Sequence, residues 1–514
     1  MDLSLVKNYT DVINFGAAAL GDQDMIVLGD DRVSWNEMQR RAGQVANALV
    51  ADGVGSQDRV AFIDKNSVEF FEVVFGAAYV NGVTVAVNWR LAAPEMAYII
   101  NDSHAKVLIL HEEFAEHLAA FEADLTHVTS IVVIGSHGSH ASYDAWRDAN
   151  DGSFQPVGST DDDVAAQLYT SGTTGLPKGA QLTNRNFQAL FATVDWDMDE
   201  DSRNLCVMPL FHIAGSGWAL FGMANGAVTV MMREFDPVSG LQIVESEGCT
   251  HAIFVPAILQ FFLMVPSDSI DLSSMRYIAY GASPITEDVL VKSMAQFGCS
   301  FFQVYGMTET CGAGTTLPPE DHGADADPGL LRSAGRPIRG MEMKIVDPES
   351  GELVPDGEVW MRHGGIMKGY WNMPEETAKA MPGDGWLRSG DIAYMEDGYL
   401  YIHDRVKDMI ISGGENVYPA EIENALMSHD GIADVAVVGV PDDKWGEVGK
   451  ALVVPVPDSG VTADEILAHA RERLAGFKIP RSVDFVEAIP RNPSGKILKR
   501  ELREPFWEGH DRRV

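Results

Sequence analysis

The chain has 514 residues, 46% of them hydrophobic and 22% charged, and its 38 Lys and Arg against 75 Asp and Glu give a formal net charge of −37. That much apolar material over that length builds cores for two to four domains and excludes a disordered chain. The acidic mean field excludes binding dominated by phosphate neutralisation, so neither nucleic acid nor an anionic membrane is expected as a partner.

The start, Met1-Asp2-Leu3-Ser4-Leu5-Val6-Lys7, has no basic region followed by an apolar run, and no signal peptide is expected. Apolar, β-branched runs then open near Val60, Val83, Val107 and Ile131, with helix-compatible stretches Val68 to Tyr79 and Glu95 to Asn101 between them. A strand every 23 or 24 residues is the spacing of right-handed βαβ units. A second series opens at Leu205, Ala227, His251, Arg276 and Phe301, with helical stretches near Val238 to Glu247 and Thr286 to Phe297. Within it, Asn204 to Met232 has no Asp, Glu, Lys or Arg and is long enough to span a bilayer, but Pro209, His212, Gly215, Gly217, Gly222 and Gly226 divide it. It reads as strand, loop, helix and strand, and no integral membrane segment is expected.

From Gly340 short alternating segments broken by Gly and Pro predict antiparallel strands and a small β-barrel. After Asp404-Arg405-Val406-Lys407-Asp408 the pattern is mixed again: a helix at Ala420 to Ser428, strands at Val435 to Val440 and Ala451 to Val456, and a helix at Asp464 to Leu474. The expected fold class is α/β, with a large N-terminal domain (1–403) of two doubly wound subdomains plus the barrel, a junction at 404–408, and a small α+β C-terminal domain (409–514). Residues 471–514 carry 11 Lys and Arg against 7 Asp and Glu, so the rest stands at −41. Cys206, Cys249, Cys299 and Cys311 lie far apart, without a C-x-x-C pair or a His at zinc spacing. A reducing, cytoplasmic location fits them best.

One local pattern is sharper than the rest: Tyr169-Thr170-Ser171-Gly172-Thr173-Thr174-Gly175-Leu176-Pro177-Lys178-Gly179. Hydroxyls and glycines ahead of one lysine supply backbone N–H groups, side-chain donors and a point charge for a phosphate. Pro177 and Gly179 stand where G-x-x-x-x-G-K-[ST] needs Gly and Ser or Thr, so the P-loop NTPase reading fails. A flexible linker has the same composition, but this run sits between a predicted strand and a new α/β unit rather than at a domain edge.

With this loop the sequence resembles the adenylate-forming superfamily of acyl-CoA synthetases, luciferases and peptide-synthetase adenylation domains, most nearly the bacterial fatty acyl-CoA ligases. Further signatures follow in order: Val304-Tyr305-Gly306-Met307-Thr308-Glu309-Thr310, Gly365-Ile366-Met367-Lys368-Gly369-Tyr370-Trp371, Ser389-Gly390-Asp391, Asp404 to Asp408, Ser412-Gly413-Gly414-Glu415-Asn416-Val417-Tyr418-Pro419 and Pro493-Ser494-Gly495-Lys496. The resemblance implies that a carboxylate attacks the α-phosphorus of ATP to give acyl-adenylate and pyrophosphate, and that the thiol of coenzyme A then displaces AMP. A carboxylate is already a nucleophile, so the first step needs positioning and charge stabilisation rather than a base.

The roles it implies fall on matching positions. Thr170, Ser171, Gly172, Thr173, Thr174 and Lys178 cradle phosphates, and Thr308 donates to the α-phosphate. Glu309 holds Mg²⁺. Gly281, Ala282 and Ser283 form the adenine-side loop, with Tyr305, Gly306 and Met307 opposite. Asp391 takes the ribose diol and Arg405 is a second ribose or phosphate contact. Lys496, delivered by a mobile C-terminal domain, bridges carboxylate and α-phosphate. Lys407 is the hinge about which that domain turns, exchanging Lys496 for a face with Ser412, Gly413 and Gly414 at the coenzyme A channel.

His212 occupies the acyl-pocket position where amino-acid-activating relatives have Asp, which disfavours an α-amino acid. No carrier domain is expected after Lys496, which favours coenzyme A as acceptor. The expected pocket, His212, Gly215, Ser216, Trp218, Val255, Gly312 and Gly314, has no Arg or Lys for a second carboxylate. A medium- or long-chain fatty acid is the favoured substrate, with an aryl or ring-bearing acid, or a carrier-protein acceptor, as alternatives. Asn184, where relatives often have His, and Ser389, where Thr is more usual, are the departures. Oligomeric state is open, a homodimer included.

Overall fold

The computed structural model describes residues 3–136, 138, 140–170, 176–193, 196–267, 269–323, 327–412, 415–442, 444–491 and 497–507. The first predicted series forms an eight-stranded sheet. Arg59–Ile63, Val83–Ala86, Ala105–His111, Ser130–Ile134, Ala141–Ser142 and Val164–Thr170 run parallel, and Lys178–Thr183 and Gly369–Tyr370 add antiparallel strands at one edge. The second series forms the parallel centre of a nine-stranded sheet, Arg203–Cys206, Val228–Met231, His251–Phe254, Tyr277–Gly281 and Ser300–Tyr305. A hairpin from near the N-terminus, Asp24–Leu28 with Asp31–Ser34, extends this second sheet beside Val228–Met231.

Helix Val68–Tyr79 has the predicted bounds. Ser67 precedes it in an extended conformation, and Phe70, Phe71, Val73, Val74 and Phe75 are all buried, as in a helix enclosed by protein on every side. Helix Pro237–Glu247 is capped by Asp236, whose side chain accepts the Ser239 N–H, and ends at Gly248 in the left-handed region. Asn204 to Met232 resolves into strand, loop, the 12-residue helix Ile213–Ala224 and strand. Among the described residues no helix is long and apolar enough to cross a membrane.

The expected β-barrel is an open antiparallel sheet instead. Glu342–Val346, Asp356–Arg362, Leu387–Glu396 and Tyr399–Arg405 pair in a line, without a pairing of the first strand to the last. Pairing in a line leaves the first and last strands as open edges, so the sheet does not close on itself. The last of them runs into 404–408, after which Ile410–Ser412, Glu415–Val417, Ile432–Asp442, Gly446–Pro455 and Ser482–Phe485 form a five-stranded sheet with helices Pro419–Met427 and Ala463–Arg473.

Asn66 fastens the two large sheets together. Its amide donates to the carbonyls of Met208 (3.1 Å) and Met232 (3.0 Å), and its oxygen accepts the Leu210 N–H at 3.0 Å.

Candidate active site

The strands on either side of the phosphate-type loop form a hairpin in which Thr170 faces Lys178 and Tyr169 faces Gly179. Ser171, Gly172, Thr173 and Thr174 lie outside the described residues. The hairpin is anchored from below: the Tyr169 hydroxyl donates to Asp102 at 2.6 Å and the Tyr98 hydroxyl to the Pro177 carbonyl at 3.4 Å. A Cβ at Gly179 would lie 2.8 Å from the Gln167 amide nitrogen and 3.0 Å from the Tyr169 ring, so a side chain there would push on both. Lys178 is buried and ion-paired with Glu376 of helix Pro374–Ala380. Lys178, and then Lys379, hold the Glu376 carboxyl down at about 2. Sequence reasoning missed Glu376, since nothing in its local pattern points across nearly two hundred residues to Lys178.

Strand Ser300–Tyr305 leads into the turn Thr308–Thr310. Glu309 is buried there, with Oε1 accepting the Tyr370 hydroxyl at 2.8 Å and the Thr170 hydroxyl at 3.5 Å. The Thr308 hydroxyl makes no hydrogen bond among the described residues. The Glu309 carboxylate is a hard oxygen donor that would suit Mg²⁺, oriented by the two hydroxyls that donate to it. Gly306 is closed on by the backbone, its hypothetical Cβ lying 2.3 Å from the Gly312 carbonyl oxygen.

Tyr305 donates its hydroxyl to Asp391 at 2.7 Å, and Arg405 Nε lies 3.2 Å from the other Asp391 oxygen. Asp391 and Arg405 are direct partners in adjacent antiparallel strands. The Asp391 charge raises the Arg405 pKa, and burial followed by Asp391 pushes the Tyr305 phenol well above its ordinary range. The three predicted nucleotide contacts thus come together.

A pocket enclosing about 680 Å³ of empty space, its open mouth included, lies against this segment. Of the expected acyl residues Trp218, Val255 and Gly312 line it, and so do Gly281, Ala282, Gly306 and Met307 from the nucleotide set. His212, Gly215, Ser216 and Gly314 do not. On helix Ile213–Ala224 the lining residues are Ile213, Ala214, Gly217, Trp218 and Phe221, one face at helical spacing. Gly215 and Ser216 fall on another face: Gly215 backs onto the Pro209 carbonyl, and the Ser216 hydroxyl returns to the His212 carbonyl. His212 is the N-cap residue, with its ring 4.4 Å from that of Phe211. Gly314 packs against Met361. Trp196, which sequence reasoning missed, lines the pocket with ring centroids 5.0 Å from Trp218 and 4.7 Å from Phe221. Ser283 is half-buried beyond Ala282, which has a positive φ of 65°.

At 404–408, Asp404 accepts the N–H groups of Arg405 and Ala420, and Lys499 sits 3.7 Å from Asp404 and 3.0 Å from Glu423. Burial alone would lower the Lys499 pKa, yet Glu423 and Asp404 raise it. Arg503 donates to the Lys407 carbonyl at 3.3 Å, and burial lowers the Lys407 pKa. Ser412 pairs with Glu415 and Gly446. Gly413, Gly414 and Lys496 lie outside the described residues.

The sequence matches the family described as AMP-binding enzyme over residues 16–371 and its C-terminal domain over 421–496. It is 39% identical over 495 residues to the fatty acid–[acyl-carrier-protein] ligase ScoC of Streptomyces coeruleorubidus, covering 94% of this chain and 93% of that one. It is 40% identical over 486 residues to a feruloyl-CoA synthase of an Amycolatopsis species, covering 93% and 95%. The fold superposes on the anthranilate CoA ligase AuaEII in complex with anthranoyl-AMP with a TM-score of 0.90 at 27% identity, covering 98% of this chain and 99% of that one. With the hairpin strands that flank the loop, the Tyr305–Asp391–Arg405 cluster and the pocket on one framework, the chain belongs to the AMP-binding, adenylate-forming family.

Proposed function

We propose that the protein is an AMP-forming ligase that activates an apolar monocarboxylic acid with ATP and passes the acyl group to coenzyme A. One observation carries the reading: residues 304–313 contribute Val304, Gly306, Met307, Cys311, Gly312 and Ala313 to the pocket while also bearing Tyr305, Thr308 and Glu309. An acid seated in the pocket therefore presents its carboxylate where Thr308 meets the α-phosphate. The carboxylate oxygen bonds to the α-phosphorus and pyrophosphate leaves; the coenzyme A sulfur then bonds to the acyl carbon and AMP leaves. Lys178 and the loop before it hold the phosphates, Asp391 the ribose diol, and Tyr305, Gly281 and Ala282 flank the adenine. Bound Mg²⁺ would neutralise phosphate charge next to Glu309. Lys496 neutralises charge between carboxylate and α-phosphate, and a turn at Lys407 brings Ser412, Gly413 and Gly414 to the thiol.

A medium- or long-chain fatty acid is the first substrate class, supported by the apolar lining and by the similarity to fatty-acid ligases. A ring-bearing acid is the second, favoured by the Trp196–Trp218–Phe221 wall and the similarity to aryl-acid ligases. Pyrophosphate and AMP release should be measured for acids from acetate to palmitate, with cinnamate and a steroid acid, with and without coenzyme A. Release of AMP that requires coenzyme A supports the reading. Acyl-adenylate that accumulates in its presence points to a carrier-protein acceptor, and an absence of acid-dependent pyrophosphate release overturns the proposal.

A further inference from the structure

We propose that Tyr370 is a positioning residue for the metal-holding carboxylate: its hydroxyl fixes one oxygen of Glu309 and aims the other at the divalent cation that accompanies ATP. This rests on the adenylating reading above. Glu309 is 7% exposed, and both of its hydrogen bonds, from Tyr370 and from Thr170, fall on Oε1. Oε2 has no partner among the described residues. The terminal torsion of a Glu side chain is broad, so a carboxylate without such a bond rotates and offers either oxygen. One fixed oxygen removes that freedom, as outer-sphere partners do for metal ligands elsewhere.

Tyr370 is itself held in place. Strand Gly369–Tyr370 pairs with Gln181 and Ala180 of the hairpin that carries Lys178. Its N–H donates to the Thr377 hydroxyl at 2.9 Å, and the Lys178 ammonium lies 5.2 Å from its ring centroid. One aromatic ring therefore touches the loop lysine on its face and the metal-holding carboxylate at its tip. The phosphate side and the metal side of the site are set relative to each other through it.

The test is Tyr370→Phe, which removes one oxygen and keeps the ring. Mn²⁺ binding to the intact protein is titrated by electron paramagnetic resonance with an α,β-methylene analogue of ATP present. Affinity for the metal-free analogue and the thermal midpoint are measured alongside. The expected result is Mn²⁺ binding weakened about tenfold, with metal-free analogue affinity unchanged and the midpoint within a few degrees of wild type. Wild-type Mn²⁺ affinity in the variant overturns the proposal. So does an equal loss of metal-free analogue affinity, which would mark a general structural role. If the wild-type protein shows no nucleotide-linked Mn²⁺ binding, the adenylating reading itself fails, and that outcome is distinct from a failure of the variant alone.

Discussion

Asp391 and Arg405 face each other across neighbouring strands, with the guanidinium on one carboxylate oxygen at 3.2 Å and the Tyr305 hydroxyl on the other at 2.7 Å. Both oxygens are thus oriented in advance for the ribose diol that the proposed function assigns to Asp391. Asp391→Asn preserves the shape and removes the charge. Charge-assisted hydrogen bonds contribute about 1.5–3 kcal/mol, so ATP affinity measured by calorimetry should fall about ten- to a hundredfold. An unchanged affinity would place the ribose elsewhere.

Lys496→Ala should lower adenylation by about two orders of magnitude or more, by analogy with the loss of one preorganised donor. Thioester formation from supplied acyl-adenylate should be largely intact. Single-turnover assays of each half-reaction decide the matter, and equal losses in both would rule out the two-orientation mechanism.

Lys407→Pro restricts the backbone at the proposed pivot. One half-reaction should fall while the other persists, read in the same two assays. If both are unaffected, the pivot is not at Lys407.

Gly312 combines a φ of 99° with a hypothetical Cβ 3.3 Å from Ile213 at the pocket wall. Gly312→Ala is strained and narrows the pocket. The KM for the longest accepted acid should rise severalfold while the KM for ATP stays level. A rise in both would mean that the whole turn has shifted.

His251 is fully buried, with one ring nitrogen 2.8 Å from the Thr250 hydroxyl and the other 3.0 Å from the carbonyl of the pocket residue Trp196. Burial, then Arg276, lowers its pKa from 6.5 to about 4. Between those values the unfolded chain binds a proton that the folded one refuses. Stability should therefore drop as pH falls from 6.5 to 4, by up to about 3 kcal/mol. Thermal midpoints of wild type and His251→Gln across that range should converge at the acid end, and parallel curves would sink the assignment.

Much of the framework is legible in the residues. Helix Val68–Tyr79 is mostly apolar, with Glu69 and Glu72 its only charged residues, and sits between two β-branched runs, so local pattern alone defines it. The proposed nucleotide contacts Tyr305, Asp391 and Arg405 were readable as a set because each lies in a signature run, and the structure brings the three together. The strand Asp24–Leu28 was not, because what makes it part of a sheet is Val228–Met231, some two hundred residues away. A similar distance hid Glu376, while Trp196 lies in no signature run and meets Trp218 and Phe221 only through the fold. Gly215 and Ser216 are expected pocket residues by sequence, but the helix turns them away and offers Ile213, Gly217 and Phe221 instead. Residue type alone does not determine which face of a helix meets a cavity. The barrel expectation failed on closure, which is a property of the whole sheet rather than of any one strand.

Asn66 uses both amide hydrogens and its oxygen on backbone groups at Met208, Leu210 and Met232. Each contact given up would leave a buried polar group unpaired, at a cost of about 1–3 kcal/mol. Met208 belongs to the pocket wall, so the first sheet clamps the cavity from outside and leaves it little room to dilate. If the pocket takes the acid as proposed, it should act as a stiff gauge, with activity across chain lengths ending in a cliff rather than a slope.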